Sequence, residues 1–254
     1  MIQMIIRADD IGYSEAVNYG IEKSVRDGLI RSAGLMPNMP YAEHGVRLLE
    51  GLDVCIGQHT NICLGRPCCD PADIPSLVQK SGDFQPSSAY RSAFNEGRDL
   101  VSLDDAVREA EAQYFRFKEI TGKEPAYFEA HAIASENLWK ALEIVAEKHH
   151  LPFNYMTPLT KIGSFCGKPV AACTMESMSE DYDPFATLKK AVADAREDMP
   201  NIFVCHPGYI DDYLLKHSSL TVNRTKEVAM LCDPAVREYL ENHHVRLLSY
   251  LDIQ

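Results

Sequence analysis

The stretch MIIRADD, residues 4–10, decides the fold, because an apolar run leads directly into two adjacent carboxylates, Asp9 and Asp10. Three further apolar runs each lead into a histidine, and these histidines are His59, His131 and His206. Strands buried on both faces are continuous apolar runs, and a parallel sheet gathers the carboxyl ends of its strands on one face. The pattern therefore predicts that the five side chains meet in one pocket.

The length and composition predict a single domain with a large hydrophobic core. The chain has 254 residues, of which 46% are hydrophobic and 24% are charged, as in an ordinary globular protein. Barrels of alternating strands and helices reach this size as one unit, so residues 1–254 are expected to form one domain.

The charge and the cysteine pattern restrict the partners and the compartment. The formal charge is -12, with 37 acidic against 25 basic side chains, and such a field repels phosphate backbones and anionic lipid. We therefore expect neither nucleic acid nor a membrane as a partner. None of the eight cysteines forms a C-x-x-C pair, and the apolar stretch at the N-terminus is too short for a secretory signal or a membrane span. A cytoplasmic location is the resulting expectation.

Candidate helices and strands alternate along the chain, which is typical of a parallel α/β sheet, open or closed. The predicted helices cover residues 15–27, 41–49, 103–121, 135–150, 184–198 and 234–243. Besides the strands that lead into the site residues, strands are predicted at 30–35, 169–174 and 245–250. Two excursions, at about 61–100 and 208–223, interrupt the alternation just after a candidate site histidine. They are interpreted as lids or substrate walls, or equally well as variable surface loops.

Asp10, His59 and His131 form a common ligand set for a divalent ion, since one carboxylate and two imidazoles leave positions open for water and substrate. If Asp10 binds the ion, the alternation of side chains along a strand turns Asp9 to the other side, free to act as a general base on the bound water. His206 would then approach from the opposite side and protonate the leaving group, while the ion lowers the pKa of its water and holds the oxyanion.

Each of these features also has a structural explanation. An Asp-Asp pair is most often part of a turn or a helix N-terminus, and a single histidine after a strand is more often a hydrogen-bonded structural residue. Four such placements in one chain favour a functional site over four independent structural roles.

The sequence also resembles the YdjC-like carbohydrate deacetylase family, which includes chitooligosaccharide deacetylases. The resemblance extends over nearly the whole chain and is based on ADDIGYS at 8–14, VN at 17–18, GI at 20–21, SAGLMPN at 32–38, GQHTN at 57–61 and HPG at 206–208. It implies a distorted TIM-like (β/α) barrel, with mostly parallel strands and helices outside. It also implies the removal of acetyl groups from N-acetylated sugars with one divalent metal ion.

The resemblance implies a role for individual residues. Asp10, His59 and His131 match the metal ligands of the family, Asp9 matches the base and His206 matches the acid.

Further residues are implied around this centre. Arg224 and Glu227 match an Arg-x-x-Glu element after the second excursion, although a surface ion pair one helical turn apart explains the same spacing equally well. The substrate-binding candidates are Glu129, Tyr13, Tyr209 and Arg224, and Phe84 is a further aromatic candidate.

One segment departs from the family pattern. Members usually have Asp-x-His followed by one or two more histidines at alternate positions, whereas residues 129–134 of this chain are EAHAIA. The glutamate moves its carboxylate one methylene outward, and the small apolar residues remove polar groups from the pocket wall.

Three hypotheses follow. The leading one is metal-dependent hydrolysis of an acetamide on a sugar, with release of acetate and a free amine. The second is hydrolysis of a phosphoester or of a non-sugar amide with the same ligands, and the third is a non-catalytic sugar or metal binder. Zinc, magnesium, manganese and nickel all suit the ligands, and the imidazoles favour zinc or another transition metal. The oligomeric state, including a homo-oligomer, stays open, since sequence does not distinguish an exposed apolar patch from core.

Overall fold

The computed structural model describes residues 1–156 and 161–254, and within these ranges nine strands form one mostly parallel sheet. The strands are β1 (Ile2–Ile11), β2 (Ser32–Leu35), β3 (Cys55–Thr60), β4 (Phe128–Ala130), β5 (Asn154–Tyr155), β6 (Ile162–Phe165), β7 (Lys168–Ala172), β8 (Asn201–Cys205) and β9 (Val245–Leu248). The helices are α1 (Glu15–Arg26), α2 (Ala42–Leu49), α3 (Ser87–Asn95), α4 (Leu103–Thr121), α5 (Glu136–His149), α6 (Pro184–Ala193), α7 (Asp212–His217), α8 (Val222–Leu231) and α9 (Pro234–Asn242).

The sheet curls into a nearly closed barrel. Its order is β4-β3-β2-β1-β8-β7-β6-β5, and β9 pairs with the first half of β1. Only the β5–β6 and β6–β7 pairs are antiparallel. A single parallel bridge between Phe128 and Phe153 joins the two ends of this order. The expected α/β barrel with mostly parallel strands and surrounding helices is confirmed.

Strong local signals place several elements where the sequence predicts them. Helix α4 covers residues 103–121 as expected and ends at Gly122, whose φ of 67° is the left-handed conformation that glycine adopts at low cost. Strand β8 also has its predicted bounds, 201–205. Within the described ranges, no helix combines the length and the apolar character needed to cross a bilayer.

Other elements differ from the expectation. Helix α6 ends at Ala193 and not at residue 198, because the backbone N–H of Arg196 donates to Asn201 Oδ1 at 2.8 Å and draws the chain towards β8. The antiparallel strands β5 and β6 and the helices α7 and α8 are additional to the predicted elements.

The first excursion, residues 61–100, is packed onto the barrel rather than loosely attached. It contains a short 3₁₀ helix at Pro71–Asp73 and the helix α3. Ile74, Leu77 and Tyr90 pack with apolar residues of α4 and α5 in a hydrophobic cluster. Phe84 belongs to the same cluster and is only 2% exposed, so its proposed contact with a sugar is wrong.

Helix α1 contacts the segment that follows β8. Ser14 caps the helix, since its Oγ accepts a hydrogen bond from the backbone N–H of Val17. On the packed face, a Cβ added to Gly20 would lie 2.4 Å from the Cα of Gly208. The two glycines therefore allow a close backbone approach directly after His206.

We expect Gly20→Ala to destabilise the protein, although the same change in an isolated helix is favourable by about 1 kcal/mol. The new methyl group overlaps the backbone at Gly208, and overpacking of this kind costs roughly 1–3 kcal/mol of the free energy of unfolding. Urea denaturation measures this difference. Tyr19→Ala, at a position of the same helix that is 48% exposed, is the control and should change the stability little. A Gly20→Ala variant more stable than the wild type would contradict the close approach.

Candidate active site

The two carboxylates at the end of β1 face the same cluster of side chains. Asp10 has a φ of 80°, and the register between β1 and β2 shifts between Ala8 and Ile11, so the alternation along the strand is broken there. The Nε2 atom of His59 lies 3.9 Å from Asp9 Oδ2 and 3.5 Å from Asp10 Oδ1. The prediction that Asp9 turns to the other side of the strand is therefore wrong.

Neighbouring strands place the other predicted residues beside this doublet. His59 in β3 lies directly opposite Glu129 in β4. A Cβ at Gly34 in β2 would lie 3.1 Å from Asp9 Oδ1 and 3.0 Å from the Cβ of His59, so a larger residue here would push these two side chains aside. On the other side of β1, Cys205 pairs with Ala8, and the next residue, His206, is thereby placed beside the doublet.

Asp10, His59 and His131 offer three donor atoms around one point. His59 Nε2 and His131 Nδ1 are 2.9 Å apart, and Asp10 Oδ1 lies 3.5 and 3.3 Å from them. Ligand atoms that lie about 2.1 Å from one ion, with ligand–ion–ligand angles between the octahedral and the tetrahedral value, are separated from one another by about 3.0 to 3.4 Å. Asp10 Oδ1 is buried and has no hydrogen-bond partner among the described residues. This donor set therefore fits one divalent cation.

A second group of residues supports these donors from inside the barrel. Glu129 forms a short hydrogen bond with His59 Nδ1, which leaves Nε2 facing Asp10 and His131. The other oxygen of Glu129 lies 3.3 Å from Arg7 Nη2, and the same Arg7 nitrogen donates to Asp9 Oδ2 at 2.7 Å. A carboxylate behind a metal-binding imidazole fixes the orientation and the tautomer of the ring.

Arg224 is part of the site and not of a surface ion pair. Its Nη2 donates to Asp10 Oδ2 at 2.7 Å, and its Nε donates to the carbonyl of Leu220 at 3.0 Å. Arg224 and Glu227 are 2% and 0% exposed, and the structure gives them different partners. The alternative explanation of the Arg-x-x-Glu spacing as a surface pair is therefore wrong.

Glu227 fixes the backbone at His206. One of its oxygens accepts a short hydrogen bond from the backbone N–H of His206, and the other accepts from the hydroxyl of Tyr182 at 2.8 Å. Burial raises the pKa of Glu227 to about 7. Burial also lowers the pKa of His206 to about 4, although Asp10 and Asp9 act in the opposite direction. His206 is therefore neutral in the resting site.

The remaining charges of the cluster compensate one another. Burial favours the neutral forms of His59 and Asp10, but the surrounding charges outweigh this effect. Glu129 and Asp9 raise the pKa of His59 to about 9, and Arg224 and His131 hold the pKa of Asp10 well below its usual value. The imidazoles thus provide positive charge that a bound cation would replace.

The predicted substrate-binding tyrosines lie in different environments. Tyr13 is 4% exposed, its hydroxyl donates to the carbonyl of His217 at 2.8 Å, and its ring lies 5.2 Å from the guanidinium of Arg224. Tyr209 is 40% exposed, and its backbone N–H donates to the carbonyl of Ala16. Tyr209 can therefore present its ring to a ligand, whereas Tyr13 mainly supports Arg224.

The segment after His131 turns sharply away from the cluster. Ala132 has a φ of 53°, and the N–H of Ile133 donates to the carbonyl of His131 at 2.6 Å. Ile133 is buried in the hydrophobic cluster of the first excursion, while Ala132 is exposed. After this turn, neither Ala132 nor Ile133 supplies a polar side chain next to His131.

Arg7 and Tyr182 were not among the sequence candidates. Arg7 is only 5% exposed. Residues two apart on a strand have their side chains on the same face, so the spacing of Arg7 and Asp9 was the sequence signal for a contact between them. Tyr182 precedes α6 in a polar segment, and nothing in its sequence context indicates that its hydroxyl reaches Glu227.

Comparison with known proteins agrees with this architecture. A crystal structure of an Enterococcus faecalis V583 protein, described as a candidate cellobiose-phosphate cleavage protein, superimposes with a TM-score of 0.82 and covers 99% of this chain and 98% of its own. At 22% identity, this likeness concerns the fold alone.

Sequence comparison identifies the family. The chain is 32% identical over 258 residues to a carbohydrate deacetylase from Geobacillus stearothermophilus, covering 97% of this chain and 96% of the relative. It is 30% identical over 258 residues to carbohydrate deacetylase 2 from Listeria innocua serovar 6a, covering 99% of both. The family model described as YdjC-like protein matches residues 3–242. The chain therefore belongs to the YdjC-like protein family.

Proposed function

We propose that this protein is a carbohydrate deacetylase that removes the acetyl group from an N-acetylated sugar or a short chitooligosaccharide, using one divalent metal ion. The observation on which the proposal rests is the set of three donor atoms from Asp10, His59 and His131, 2.9 to 3.5 Å apart at the mouth of the barrel. Relatives named carbohydrate deacetylases, at 30% and 32% identity over almost the whole chain, support the substrate class.

Asp10, His59 and His131 would hold the ion. When bound, a divalent ion lowers the pKa of a water molecule and stabilises the negative charge that develops on the acetyl oxygen. Zinc or magnesium is the leading candidate, and manganese or nickel also suits these ligands.

Asp9 would act as the general base that accepts a proton from the attacking water. Its Oδ2 is held by Arg7 at 2.7 Å, whereas Oδ1 is buried and has no hydrogen-bond partner among the described residues. One oxygen is thus fixed and the other is available for a proton, which is the arrangement that general base catalysis requires.

His206 would protonate the nitrogen of the leaving sugar amine. Its Nδ1 is buried and lacks a hydrogen-bond partner within the described ranges, and the ring is neutral at rest. Negative charge on the tetrahedral intermediate raises the proton affinity of a neighbouring imidazole. The proton removed from water can therefore pass to His206 and then to the nitrogen as the C–N bond breaks, which yields acetate and a free amine.

The substrate would be bound between the two excursions at 61–100 and 208–223. Tyr209, which is 40% exposed, would contact the sugar, and Arg224 would orient Asp10 through its hydrogen bond of 2.7 Å. Glu129 is 2% exposed and both of its oxygens have partners in the protein, so we assign it to the orientation of His59 rather than to the substrate.

Incubation with N-acetylglucosamine oligomers should release acetate, measured with a coupled assay. Asp9→Asn removes the proton acceptor with little change in shape, and we expect its kcat to fall by roughly 100- to 10,000-fold. If the wild type binds the ion but releases no acetate from any acetylated sugar, release of phosphate from phosphoesters or of an amine from non-sugar amides would identify the other hydrolase. A wild type that binds the ion and hydrolyses none of these substrates would be a non-catalytic binder.

Removal of the ion should abolish acetate release, and added Zn²⁺ should restore it. Isothermal titration calorimetry of the metal-free protein should give one site per chain. We expect Asp10→Asn to lower the affinity for the ion more than about 100-fold, since even residues that only orient ligands contribute 10- to 100-fold. Asp212→Asn, an exposed acid in α7, is the control. Ion binding by Asp10→Asn at wild-type affinity would contradict the assignment.

Glu227→Gln should change how stability depends on pH. The pKa of Glu227, about 7 when folded against 4.5 ordinarily, means that the folded protein retains a proton that the unfolded chain loses. The tighter binding of this proton in the folded state contributes about 3 kcal/mol to the free energy of unfolding. This contribution is complete below pH 4.5, decreases as pH rises, and is absent above pH 7.

Because glutamine stays neutral, the stability difference between variant and wild type should shift in favour of the variant between pH 4.5 and 7 and then remain constant. Urea denaturation at several pH values measures this difference. Glu238→Gln, an exposed glutamate in α9, should leave the pH dependence unchanged. A difference that is independent of pH would show that Glu227 is charged in the folded protein throughout.

A further inference from the structure

A buried guanidinium lies inside the barrel beneath the proposed metal ligands. Arg7 Nη2 is 2.7 Å from Asp9 Oδ2 and 3.3 Å from Glu129 Oε2. Its Nη1 donates to the hydroxyl of Tyr250 at 3.1 Å, and its guanidinium carbon lies 5.8 Å from the centre of the Tyr127 ring. Partners on several sides thus fix this cation in one position.

Two potential ligand groups overlap at His59. The first consists of Asp10, His59 and His131, and the second consists of Asp9, His59 and Glu129, with the ligand atoms within 4.8 Å of one another in each group. The two groups differ in one respect, because Arg7 contacts both carboxylates of the second group. Asp9 is close enough to bind the same ion, since its Oδ2 lies 3.9 Å from His59 Nε2, whereas Glu129 contacts the other ring nitrogen, Nδ1.

We propose that Arg7 is a fixed internal cation that keeps Asp9 out of the coordination sphere of the metal ion and holds Glu129 beside Nδ1 of His59. Asp9 thereby remains a base and Glu129 remains the partner of His59. The inference rests on the proposed function, since it concerns the ion of that site. Arg7 is a positioning residue, because it touches neither the ion nor the substrate.

The physical reason is competition between two cations for the same carboxylates. Arginine binds carboxylates with several N–H groups in a fixed plane and keeps its charge when buried, so it can hold two of them at once. Without this charge, both carboxylates would be uncompensated, and Asp9 would be drawn towards the divalent ion. Coordination by Asp9 would then occupy the oxygens that accept the proton from water.

This role predicts opposite changes in two properties of Arg7→Met. The affinity for a divalent ion should rise about tenfold or more, because a repelling charge is removed and the Asp9 carboxylate becomes available as a further ligand. The kcat should fall roughly 100-fold, because the base is converted into a ligand. A residue that only maintained the structure of the site would lower both properties together.

The experiment compares wild type, Arg7→Met and Arg7→Lys by calorimetric titration of the metal-free proteins with Co²⁺, and records the visible absorption of the bound ion. Additional carboxylate ligands raise the coordination number of Co²⁺ and weaken its absorption bands, and we expect this change in Arg7→Met. Arg7→Lys retains the charge but not the planar fork, so its affinity should lie between those of the wild type and Arg7→Met. Arg196→Met, the same change at an exposed arginine, is the matched control.

The outcomes separate this inference from the proposed function. A wild type that binds no Co²⁺ contradicts the proposed metal site itself. A wild type that binds one ion, together with an Arg7→Met variant of equal or weaker affinity and an unchanged spectrum, overturns the role of Arg7 alone.

Arg7→Met also leaves buried carboxylates without a counter-charge, which can prevent folding. The double variant Arg7→Met/Glu129→Gln removes one charge of each sign, and we expect it to be more stable than Arg7→Met in urea denaturation. A double variant no more stable than Arg7→Met would contradict the compensation of Glu129 by Arg7.

Discussion

Mutual compensation of buried charges at the carboxyl end of β1 is the interaction on which this structure depends. Asp9, Asp10 and Glu129 are nearly inaccessible to solvent, and a carboxylate transferred alone into such an environment costs several kcal/mol. Arg7 contacts Asp9 and Glu129, and Arg224 contacts Asp10. The barrel makes this arrangement possible, because the carboxyl ends of β1, β3, β4 and β8 meet at one mouth.

Most of the fold could be predicted from the sequence, because the main elements have strong local signals. Helix α4 has an apolar stripe and ends at Gly122, and the buried strands are continuous apolar runs. The strands β5 and β6 have two and four residues, partly exposed, and form through tertiary pairing rather than local preference. The end of α6 depends on a hydrogen bond from Arg196 to Asn201, which no local pattern indicates.

The candidate site was predictable in its residues and less so in its geometry. The carboxyl ends of parallel strands lie at the same edge of a sheet. The apolar runs that precede them therefore predict that five side chains lie close together, those of Asp9, Asp10, His59, His131 and His206. The positive φ of Asp10, which turns both carboxylates to one side, comes from tertiary contacts and is not encoded by a glycine. The spacing of Arg7 and Asp9 on one strand indicates only that both side chains share a face, and the contacts of Arg7 with Glu129 and Tyr250 depend on segments far apart in the sequence.

The barrel is joined along one seam by a single bridge between Phe128 and Phe153, and His131 follows the strand at that seam. Asp10 lies on the central strand where its pairing with β2 is irregular, and its carboxylate is held by Arg224 at 2.7 Å. The side chain of His131 is 14% exposed, against 1% for that of Asp10. Adjustment to cations of different radius would accordingly begin at the less enclosed imidazole.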